Sequence, residues 1–472
     1  MGSTFAGLNT SFMGLTAART AVDVAGQNVA NANTTGYTRQ RVSQSSVASV
    51  GKAGILEQPL PTAGGGVTVD AINRLGDKFL DARVRTALSN SGFHATRATA
   101  FSNIEKVLNE PSKDGLAAQL SKFWNSWQDL SNNAGKAAGA SVVVEQAHVL
   151  GAQLADGYRA IDDQWGSTRG TVDAVTAELN NAGRQIAELN DQIRKQAAAG
   201  GSTNELVDRR NLLAEHVAET AGGVVVGRSD GGIDVLVGGN PLVSGADFNE
   251  VKAVGGTTLG SDVHLEWVKH PGLAIAMDGG ELAAHLSLLK PANATGTGGA
   301  LAESAEAYNR VATTLAATVN DVHRTGSTFE GVTGLDFFGF TPGAPAALGL
   351  NVIATGINDI AVGAAGAGNL DGSIADKISQ LGVGNLSADG QWNAFVGSIA
   401  VTSQGELRQS DLADLSYGNA SGAQKAQAGV DLDEESMNLI SAQTAYQAAA
   451  RAMTAMDELL DTLINKTGLV GR

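Results

Sequence analysis

The two ends of this chain carry the same seven-residue repeat of hydrophobic positions. Such a heptad repeat, kept over four or five periods, is typical of a coiled-coil seam. We therefore predict two terminal helices that pair with each other and form an assembly seam. Near the start, the seam positions are Leu8, Leu15, Val22 and Val29. Near the finish, they are Leu432, Leu439, Tyr446, Met453, Met456, Leu460 and Leu463.

The region between the two ends is predicted to be mainly helical. Apolar residues from Leu116 to Leu130 recur at spacings of four and three, and those from Val172 to Ile193 form another strict heptad run. Tyr308, Val311 and Leu315 share one face of a further helix. Spacings of three and four place side chains on one side of a helix, so we expect these residues in the core of a helical bundle.

The pattern changes to that of short strands at Gly222. Val224–Val226 and Ile233–Val237 are rich in β-branched residues and flank a glycine-rich turn, which predicts a β-hairpin. More short strands extend to about residue 277, and a second irregular, glycine-rich stretch covers about 326–375. The β-rich part is therefore nested inside the helical part, which is itself nested between the terminal helices.

These changes of pattern predict a multidomain α+β fold. It consists of paired terminal helices in a coiled coil, a mainly helical middle domain, and a β-rich outer domain inserted in that middle domain. The irregular segment belongs either to the outer domain or to a linker. The predicted boundaries are 1–40 and 429–472 for the coiled coil, 41–221, 281–330 and 373–428 for the helical domain, 222–280 for the β-rich domain, and 331–372 for the irregular or β segment.

Charge and composition exclude several classes of function. The 48 acidic residues outnumber the 32 basic ones, which gives a net charge of −16 with no basic block. Nucleic acids and anionic membranes attract clustered Lys and Arg, so we expect neither as a partner. The chain has no cysteine, which excludes disulfides, thiolate catalysis and cysteine-ligated metals.

No segment indicates membrane insertion or a secretory signal peptide. No apolar run reaches the roughly 18–20 residues that a spanning helix needs. The first charged residue is Arg19, so the start lacks the basic segment of a signal peptide. We expect no membrane insertion and, for an exported protein, a route that leaves the N-terminus uncleaved.

The motifs that suggest chemistry have simpler explanations. Gly227–Gly231 matches G-x-S-x-G but lies between two predicted strands, where glycine and serine are ordinary turn residues. His264 and His270 lack metal-ligand spacing, and Gly363–Gly368 fits no phosphate-binding loop. The acidic group within 431–435 is interpreted as first-turn acids that favour the helix macrodipole. We predict no catalytic, cofactor or metal site.

Both ends also resemble a known family. Gln27–Tyr37 (QNVANANTTGY) is similar to the N-terminal signature of flagellar rod, hook and hook-associated proteins. The continuation Thr38–Val42 (TRQRV) narrows the resemblance to the hook-associated protein 1 family. Gly429–Glu435 (GVDLDEE) and Leu439–Gln447 (LISAQTAYQ) resemble the C-terminal helix of that family.

Segments in the middle of the chain extend the resemblance. Asn204–Arg210, Gly239–Val243 and Gly334–Phe338 are similar to a helix start, a β turn and the segment after a long helix in that family. In many relatives a β domain follows the Asp-Phe-Phe of the last segment. Here only about ten residues separate Phe338 from the next apolar run at Leu348. We therefore expect the outermost domain to be missing or reduced.

The resemblance implies a structural role outside the cell. The protein would form a ring at the hook–filament junction, between the hook protein and hook-associated protein 3, with its terminal helices lining the inner tube. It would leave the cell unfolded through the flagellar type III export channel, after a cytoplasmic export chaperone had held its C-terminal helix. Ile440, Leu459 and Ile464 lie just off the seam and would face neighbouring subunits.

Three alternatives remain at this point. Another flagellar axial protein, namely hook, distal rod or hook-associated protein 3, shares the terminal patterns. An exported enzyme on an axial scaffold, such as a muramidase or protease, would need paired carboxylates or a nucleophile that the sequence does not offer. A cytoplasmic coiled-coil scaffold would account for the helices alone.

Overall fold

The computed structural model describes residues 2–48 and 64–466. These residues are mostly helical. The helices are α1 (Gly2–Ala30), α2 (Lys78–Leu108), α3 (Leu116–Asn132), α4 (Ala137–Ala198), α5 (Asn204–Ala221), α6 (Gly280–Leu289), α7 (Ala300–His323), α8 (Ala346–Gly349), α9 (Ser373–Ser379), α10 (Ala388–Ala428) and α11 (Leu432–Asp461), followed by a π-helical turn (Thr462–Lys466). Among the described residues, no helix combines the length and hydropathy needed to cross a bilayer.

The strands are short and antiparallel. They are β1 (Gln40–Ser46), β2 (Val67–Arg74), β3 (Val224–Gly227), β4 (Ile233–Val237), β5 (Asn240–Ser244), β6 (Asp247–Phe248), β7 (Val251–Gly255), β8 (Val263–Trp267), β9 (His270–Ala274), β10 (Gly326–Ser327), β11 (Phe338–Phe340), β12 (Leu350–Val352) and β13 (Gly363–Ala364). This α+β architecture is the predicted fold class.

The two ends of the chain meet in an α1–α11 pair. The β1–β2 hairpin packs against α1, with Val42 opposite Ile72. Asp431 is the N-cap of α11, since its side chain accepts hydrogen bonds from the backbone N–H groups of Asp433 and Glu434. The hairpin begins at Gln40 and otherwise falls within 41–221, the first part of the predicted helical domain.

The core of the middle domain consists of the predicted helical seams. All five apolar residues of the Leu116–Leu130 run are buried, and so are the heptad positions from Val172 to Ile193 on α4. Trp127 packs edge-on against Phe337 with ring centroids 5.2 Å apart. The bundle prediction is therefore confirmed at these positions.

Helices α2 and α10 run antiparallel along one side of the bundle. Polar contacts set their register: Ser91 donates to Asp414 at 2.6 Å, and Gln424 donates to Asp81 at 2.8 Å. Residue numbers rise along α2 as they fall along α10. The start of α2 therefore lies beside the end of α10, close to the terminal pair.

The β-rich region forms two sheets that dock on α4. The strand orders are β3-β4-β5-β6 and β7-β8-β9. Gly222, with φ of +69°, ends α5, and the predicted hairpin follows as β3 paired with β4. Buried Asn190 and Asn180 of α4 bond the backbone at Ile233 and Val251, so polar side chains fix both sheets to the helix.

The segment predicted to be irregular contains short strands and the four-residue helix α8. Phe338 pairs with Val352 in the β11–β12 hairpin. Residues 341–349 alone connect the two strands. This compact hairpin follows the Asp-Phe-Phe segment, after which the resemblance led us to expect a missing or reduced domain. His323 ties the segment down, because its Nδ1 donates to the Leu335 carbonyl at 2.7 Å and its Nε2 accepts the Ala361 N–H at 2.8 Å.

Candidate assembly site at the paired terminal helices

Helices α1 and α11 pair in an antiparallel sense. A Cβ atom added at Gly7 would lie 3.0 Å from the Met456 methyl carbon, and one added at Gly14 would lie 3.8 Å from the Ala449 Cβ. Further along α1, Asn28 bonds Glu435 at the start of α11. Because positions rise on one helix as they fall on the other, the contact continues over nearly the whole length of both helices.

Small side chains allow the two helices to approach closely. The most buried apolar residues of α1 are Ala17, Ala18, Val24 and Ala25, each no more than 8% exposed. Two of these, Ala18 and Ala25, lie three residues after the heptad positions Leu15 and Val22, on the same side of the helix. The large residues of the repeat lie beside this contact and not at its centre, because glycine and alanine leave no room for them there.

The predicted seam residues are consequently spread around the contact. Leu8, Leu15, Val22, Leu439, Met453, Met456 and Leu460 are partly buried. Val29, Leu432 and Tyr446 are exposed by 39%, 50% and 39%. The side chain of Leu463 lies outside the described residues. The structure brings Leu8 close to Met453, and Val22 close to Tyr446, in grooves between the helices.

The wider groove is lined mainly by apolar side chains. Phe5, Leu8 and Phe12 line it from α1, and Met453 and Asp457 line it from α11. Phe5 and Phe12 are 59% and 55% exposed although each is a large aromatic side chain. Such a patch on a helix pair is typical of a surface that another protein covers.

At the base of the pair, ion pairs join α11 to the segment after α1. Arg39 Nε lies 2.6 Å from Glu435, and its two terminal nitrogens lie 2.7 and 2.9 Å from Glu434. Its backbone N–H donates to the carbonyl of Ala428 at the end of α10. The hydrogen bond to Glu434 is the main reason why the pKa of Arg39 is raised, and the same bond lowers the pKa of Glu434.

Asn28 completes this arrangement, which we call the polar joint: Asn28, Tyr37, Arg39, Gln40, Glu434 and Glu435. The Nδ2 of Asn28 donates hydrogen bonds to the Gln40 carbonyl and to Glu435. The Oδ1 of Asn28 accepts hydrogen bonds from the Gln40 backbone N–H and the Tyr37 hydroxyl. Burial, aided by nearby carboxylates, raises the pKa of Tyr37 to about 12, so the hydroxyl keeps the proton that it donates. Every polar atom of the Asn28 side chain is therefore satisfied.

A second ion pair links the joint to the helical domain. Arg74 Nε bonds Asp208 of α5 at 2.7 Å, and Asp208 also accepts the backbone N–H of Thr38. Burial raises the pKa of Asp208 even though Arg74 opposes that shift. Asn204 donates to the Gln40 side chain at 2.9 Å. The terminal pair is thus fixed to the rest of the molecule through polar contacts.

The sequence interpretation of the acidic group was incomplete. Asp431 does cap α11, but Glu434 and Glu435 are partners of Arg39 and are not simply acids near a helix dipole. In the sequence, Arg39 stands out only as part of the family signature at Thr38–Val42. A signal was present, since Arg39 and Arg41 follow the turn after α1 and acids open α11, but 396 residues separate Arg39 from Glu435.

Two of the motifs that suggest chemistry have ordinary structural surroundings. Ser229 lies in the turn between β3 and β4, as predicted. His264 contacts Asp262 and Glu266 as a local polar cluster on β8. Across residues 2–48 and 64–466, no group of three or more His, Cys, Asp or Glu side chains is placed to hold a metal ion.

The terminal helices match families of flagellar proteins. Residues 8–38 match the family described as flagella basal body rod protein, and residues 422–466 match flagellar basal body rod FlgEFG protein C-terminal. The first match contains Asn28 and Tyr37, and the second contains Glu434 and Glu435. Fold and site together define a structural protein of the flagellar axis.

The middle of the chain and its full length narrow this class. Residues 101–338 match the family described as flagellar hook-associated protein FlgK helical domain. The chain is 30% identical to flagellar hook-associated protein 1 of Bacillus subtilis (strain 168) over 511 aligned positions, which cover 100% of both proteins. The chain belongs to the flagellar hook-associated protein 1 family, and is thus a component of the external flagellum. The resemblance predicted from the sequence is confirmed.

Other relatives match in part. Flagellar hook-associated protein 1 of Escherichia coli (strain K12) is 31% identical over 251 residues, which cover 52% of this chain and 44% of that protein. The solved structure of the flagellar hook junction protein FlgK from Burkholderia pseudomallei aligns with a TM-score of 0.62 at 14% identity, covering 73% of this chain and 99% of that one. That similarity supports the fold.

Proposed function

We propose that copies of this chain form a ring that joins the hook to the filament, and that the α1–α11 pair holds each copy in the ring. The observation that carries this proposal is the apolar surface on the outside of the pair. Besides Phe5 and Phe12, Ile440 and Leu459 of α11 are 63% and 53% exposed. Burying a large apolar side chain contributes about 1.5–3 kcal/mol. Neighbouring copies that cover these residues would therefore stabilise the pair.

The predicted seam positions take two roles in this proposal. The partly buried residues, such as Leu8, Met453 and Met456, hold the two helices of one copy together. The exposed ones, such as Val29 and Tyr446, face other subunits together with Ile464, which is 70% exposed. An isolated coiled coil would leave these residues in water, whereas a ring of head-to-tail contacts covers them.

The partners that we propose follow from this position in the axis. The hook protein would contact one side of the ring and hook-associated protein 3 the other. A flagellar export chaperone would cover the apolar face of α11 before export. The chain would cross the export channel unfolded. The segment that forms α1 would not be cleaved off, because α1 supplies half of the helix pair. We propose no catalytic activity, cofactor, nucleic acid or membrane-inserted segment.

The nested architecture suits this role. We propose that the coiled coil, residues 1–40 and 429–472, lines the inner tube, and that the helical and β-rich units point outward. The boundaries predicted from the sequence serve as the proposed domain limits, with the β1–β2 hairpin as the connection between the coiled coil and the helical domain. Residues 331–372 stay assigned either to the outer domain or to a linker.

A double substitution on α11 tests the proposal. Met453→Lys with Leu460→Lys places two charges beside the helix contact, where poorly solvated ions cost several kcal/mol. Val268→Lys with Leu273→Lys is the matched control, since both residues are exposed on the β-rich region. Electron microscopy of the cells should show bare hooks for the first variant and normal filaments for the control, with equal secretion of both chains. Filaments of normal length in the first variant would refute the proposal.

A further inference from the structure

The start of α2 presents an exposed aromatic side chain next to a positive charge. Phe79 is 73% exposed, and Lys78 Nζ lies 5.3 Å from the centre of its ring. Asp77 caps the helix by accepting the Phe79 N–H at 2.7 Å, so the backbone that carries both residues is fixed. A rigidly held aromatic and a Lys, both outside the core, form a projection that we call the knob.

A shallow groove of complementary character lies on α10. It is lined by Asp411, Asp414, Leu415, Gly418 and Asn419. The side chain of Leu415 is 65% exposed, and a Cβ added at Gly418 would have no neighbour within 4 Å. The groove therefore offers an apolar floor with the Asp411 carboxylate at its edge, while the Asp414 carboxylate is hydrogen-bonded to Ser91. An aromatic ring beside an ammonium group matches it in both polarity and charge.

Most of the groove faces away from the contact between α2 and α10; the exception is Asp414, which accepts a hydrogen bond from Ser91 of α2. The buried positions of this part of α10 are Ser410, Ala413 and Ala420. At 100° per residue, Leu415 lies about 140–160° around the helix from each of these positions and so points to roughly the opposite side. The groove is thus on the solvent side of the molecule, where a partner can approach it.

The knob of one copy cannot reach its own groove. The hydrogen bond between Asp81 and Gln424 places the start of α2 beside Gln424 or beyond it. Leu415 lies nine residues before Gln424, which corresponds to about 14 Å along the helix at 1.5 Å per residue. The knob and the groove can therefore meet only between two copies of the chain. A contact between two different surface patches can repeat from copy to copy around a ring.

We propose that Lys78 and Phe79 of one copy insert into the α10 groove of the next, with Lys78 beside Asp411 and Phe79 against Leu415. This proposal rests on the proposed ring assembly and adds a contact in the helical domain to that of the terminal helices. The partner that fills the groove is a second copy of this chain, because the chain itself carries the matching aromatic ring and cation in Phe79 and Lys78.

The absence of cysteine allows a direct test by disulfide crosslinking. Lys78→Cys combined with Gly418→Cys is introduced into cells, and their isolated hook–filament junctions are mildly oxidised. A ladder of multimers on a denaturing gel is expected from the double variant, and no more than dimers from a mixture of the two single variants. Gly14→Cys with Ala449→Cys, within one α1–α11 pair, is the control for oxidation.

Each other outcome contradicts the contact. A double variant that stays monomeric while the control forms its internal disulfide overturns the proposal. An internal disulfide between positions 78 and 418 also overturns it, as does a crosslink to a different protein. Cells that swim with normal filaments but give no ladder would leave the proposed ring function intact and remove only this contact.

A charge exchange then tests the chemistry. The reference is a variant that carries Phe79→Cys and Gly418→Cys and is crosslinked in the same way. Adding Lys78→Glu to it should lower the yield of multimers several-fold, because the new carboxylate would lie beside Asp411. A further Asp411→Lys should restore it, because Asp411 is exposed and its side chain caps no helix. Unchanged yield with Lys78→Glu, or no recovery with Asp411→Lys, would show that the two charges do not meet.

Discussion

Asn28 donates a 3.1 Å hydrogen bond to Glu435, although 407 residues separate them in sequence. Both side chains are buried, at 1% and 2% exposed, in a helix pair that otherwise buries mainly alanine and valine. A buried polar pair at one position of a helical seam fixes the register, because any shift would leave both groups unpaired. The polar joint therefore sets how the two ends of the chain meet.

Removal of one carboxylate should weaken the joint selectively. In Glu435→Ala, Asn28 and Arg39 lose a buried partner, which should cost about 1–3 kcal/mol in the opening free energy of the α1–α11 pair. Glu434→Ala is the matched control in the same helical turn. Its side chain is 52% exposed, so its loss should cost less than about 1 kcal/mol. Amide hydrogen exchange along α11 measures both, and equal effects would show that burial of Glu435 adds nothing.

Two glycines of α4 should respond in opposite ways to alanine. Gly170 has no neighbour within 4 Å of an added Cβ, so Gly170→Ala should raise the free energy of unfolding by about 0.5–1 kcal/mol through helix propensity. At Gly183 the same Cβ would lie 2.9 Å from the Phe248 ring. Overpacking there should cancel or reverse the gain. Urea unfolding of both variants checks this, and an equal gain at Gly183 would mean that the β-rich sheet docks less tightly than described.

Acid should destabilise the segment held by His323. The imidazole is fully buried and neutral, with Nδ1 as donor and Nε2 as acceptor. Burial lowers its pKa, against weaker opposing effects of the Leu335 carbonyl and Asp336. Because the folded pKa is below the unfolded value of about 6.5, the unfolded chain takes up the proton first. The stability that the neutral ring contributes is therefore complete above about pH 6.5 and falls as the pH drops through the folded pKa.

His323→Gln separates this effect from general acid denaturation. A glutamine amide supplies N–H donors and an oxygen acceptor without titrating. Between pH 7.5 and pH 5.5, the free energy of unfolding should decrease less in the variant than in the unmodified chain. If both decrease equally, His323 does not contribute to the pH dependence.

Loss of the candidate reactive side chains should not affect function. Ser229 lies in a turn and His264 in a local cluster with Asp262 and Glu266, so Ser229→Ala and His264→Ala should leave swimming speed and filament length unchanged. Motility on soft agar checks both. Loss of motility with normal secretion and folding of the Ser229 variant would support an exported enzyme, which digestion of peptidoglycan or casein would then test.

The hydrophobic pattern predicted most of the helical core because its signal is local. Spacings of three and four are set by the helix itself, so the Leu116–Leu130 and Val172–Ile193 runs could be assigned without knowledge of their partners. The same holds for the hairpin after Gly222, where β-branched residues flank a turn.

The assembly site was harder to predict because its contacts join distant segments. A heptad pattern favours large residues at the centre of a seam, but here Gly7, Gly14 and Ala18 occupy it, and Val29 is left exposed. The pairing of Arg39 with Glu435 depends on the relative positions of both chain ends. Hydrophobic periodicity contains no information on such a polar contact.

A cryo-EM map of the native hook–filament junction tests the central claim most directly. The account predicts a ring of this chain between the hook and hook-associated protein 3, in which α1 and α11 of each copy lie antiparallel along the inner tube. Density for Arg39 should meet that of Glu434 and Glu435, and Phe5 and Phe12 should be covered by a neighbouring subunit. A map in which α1 and α11 of one copy lie apart, or in which their apolar faces remain uncovered, would contradict it.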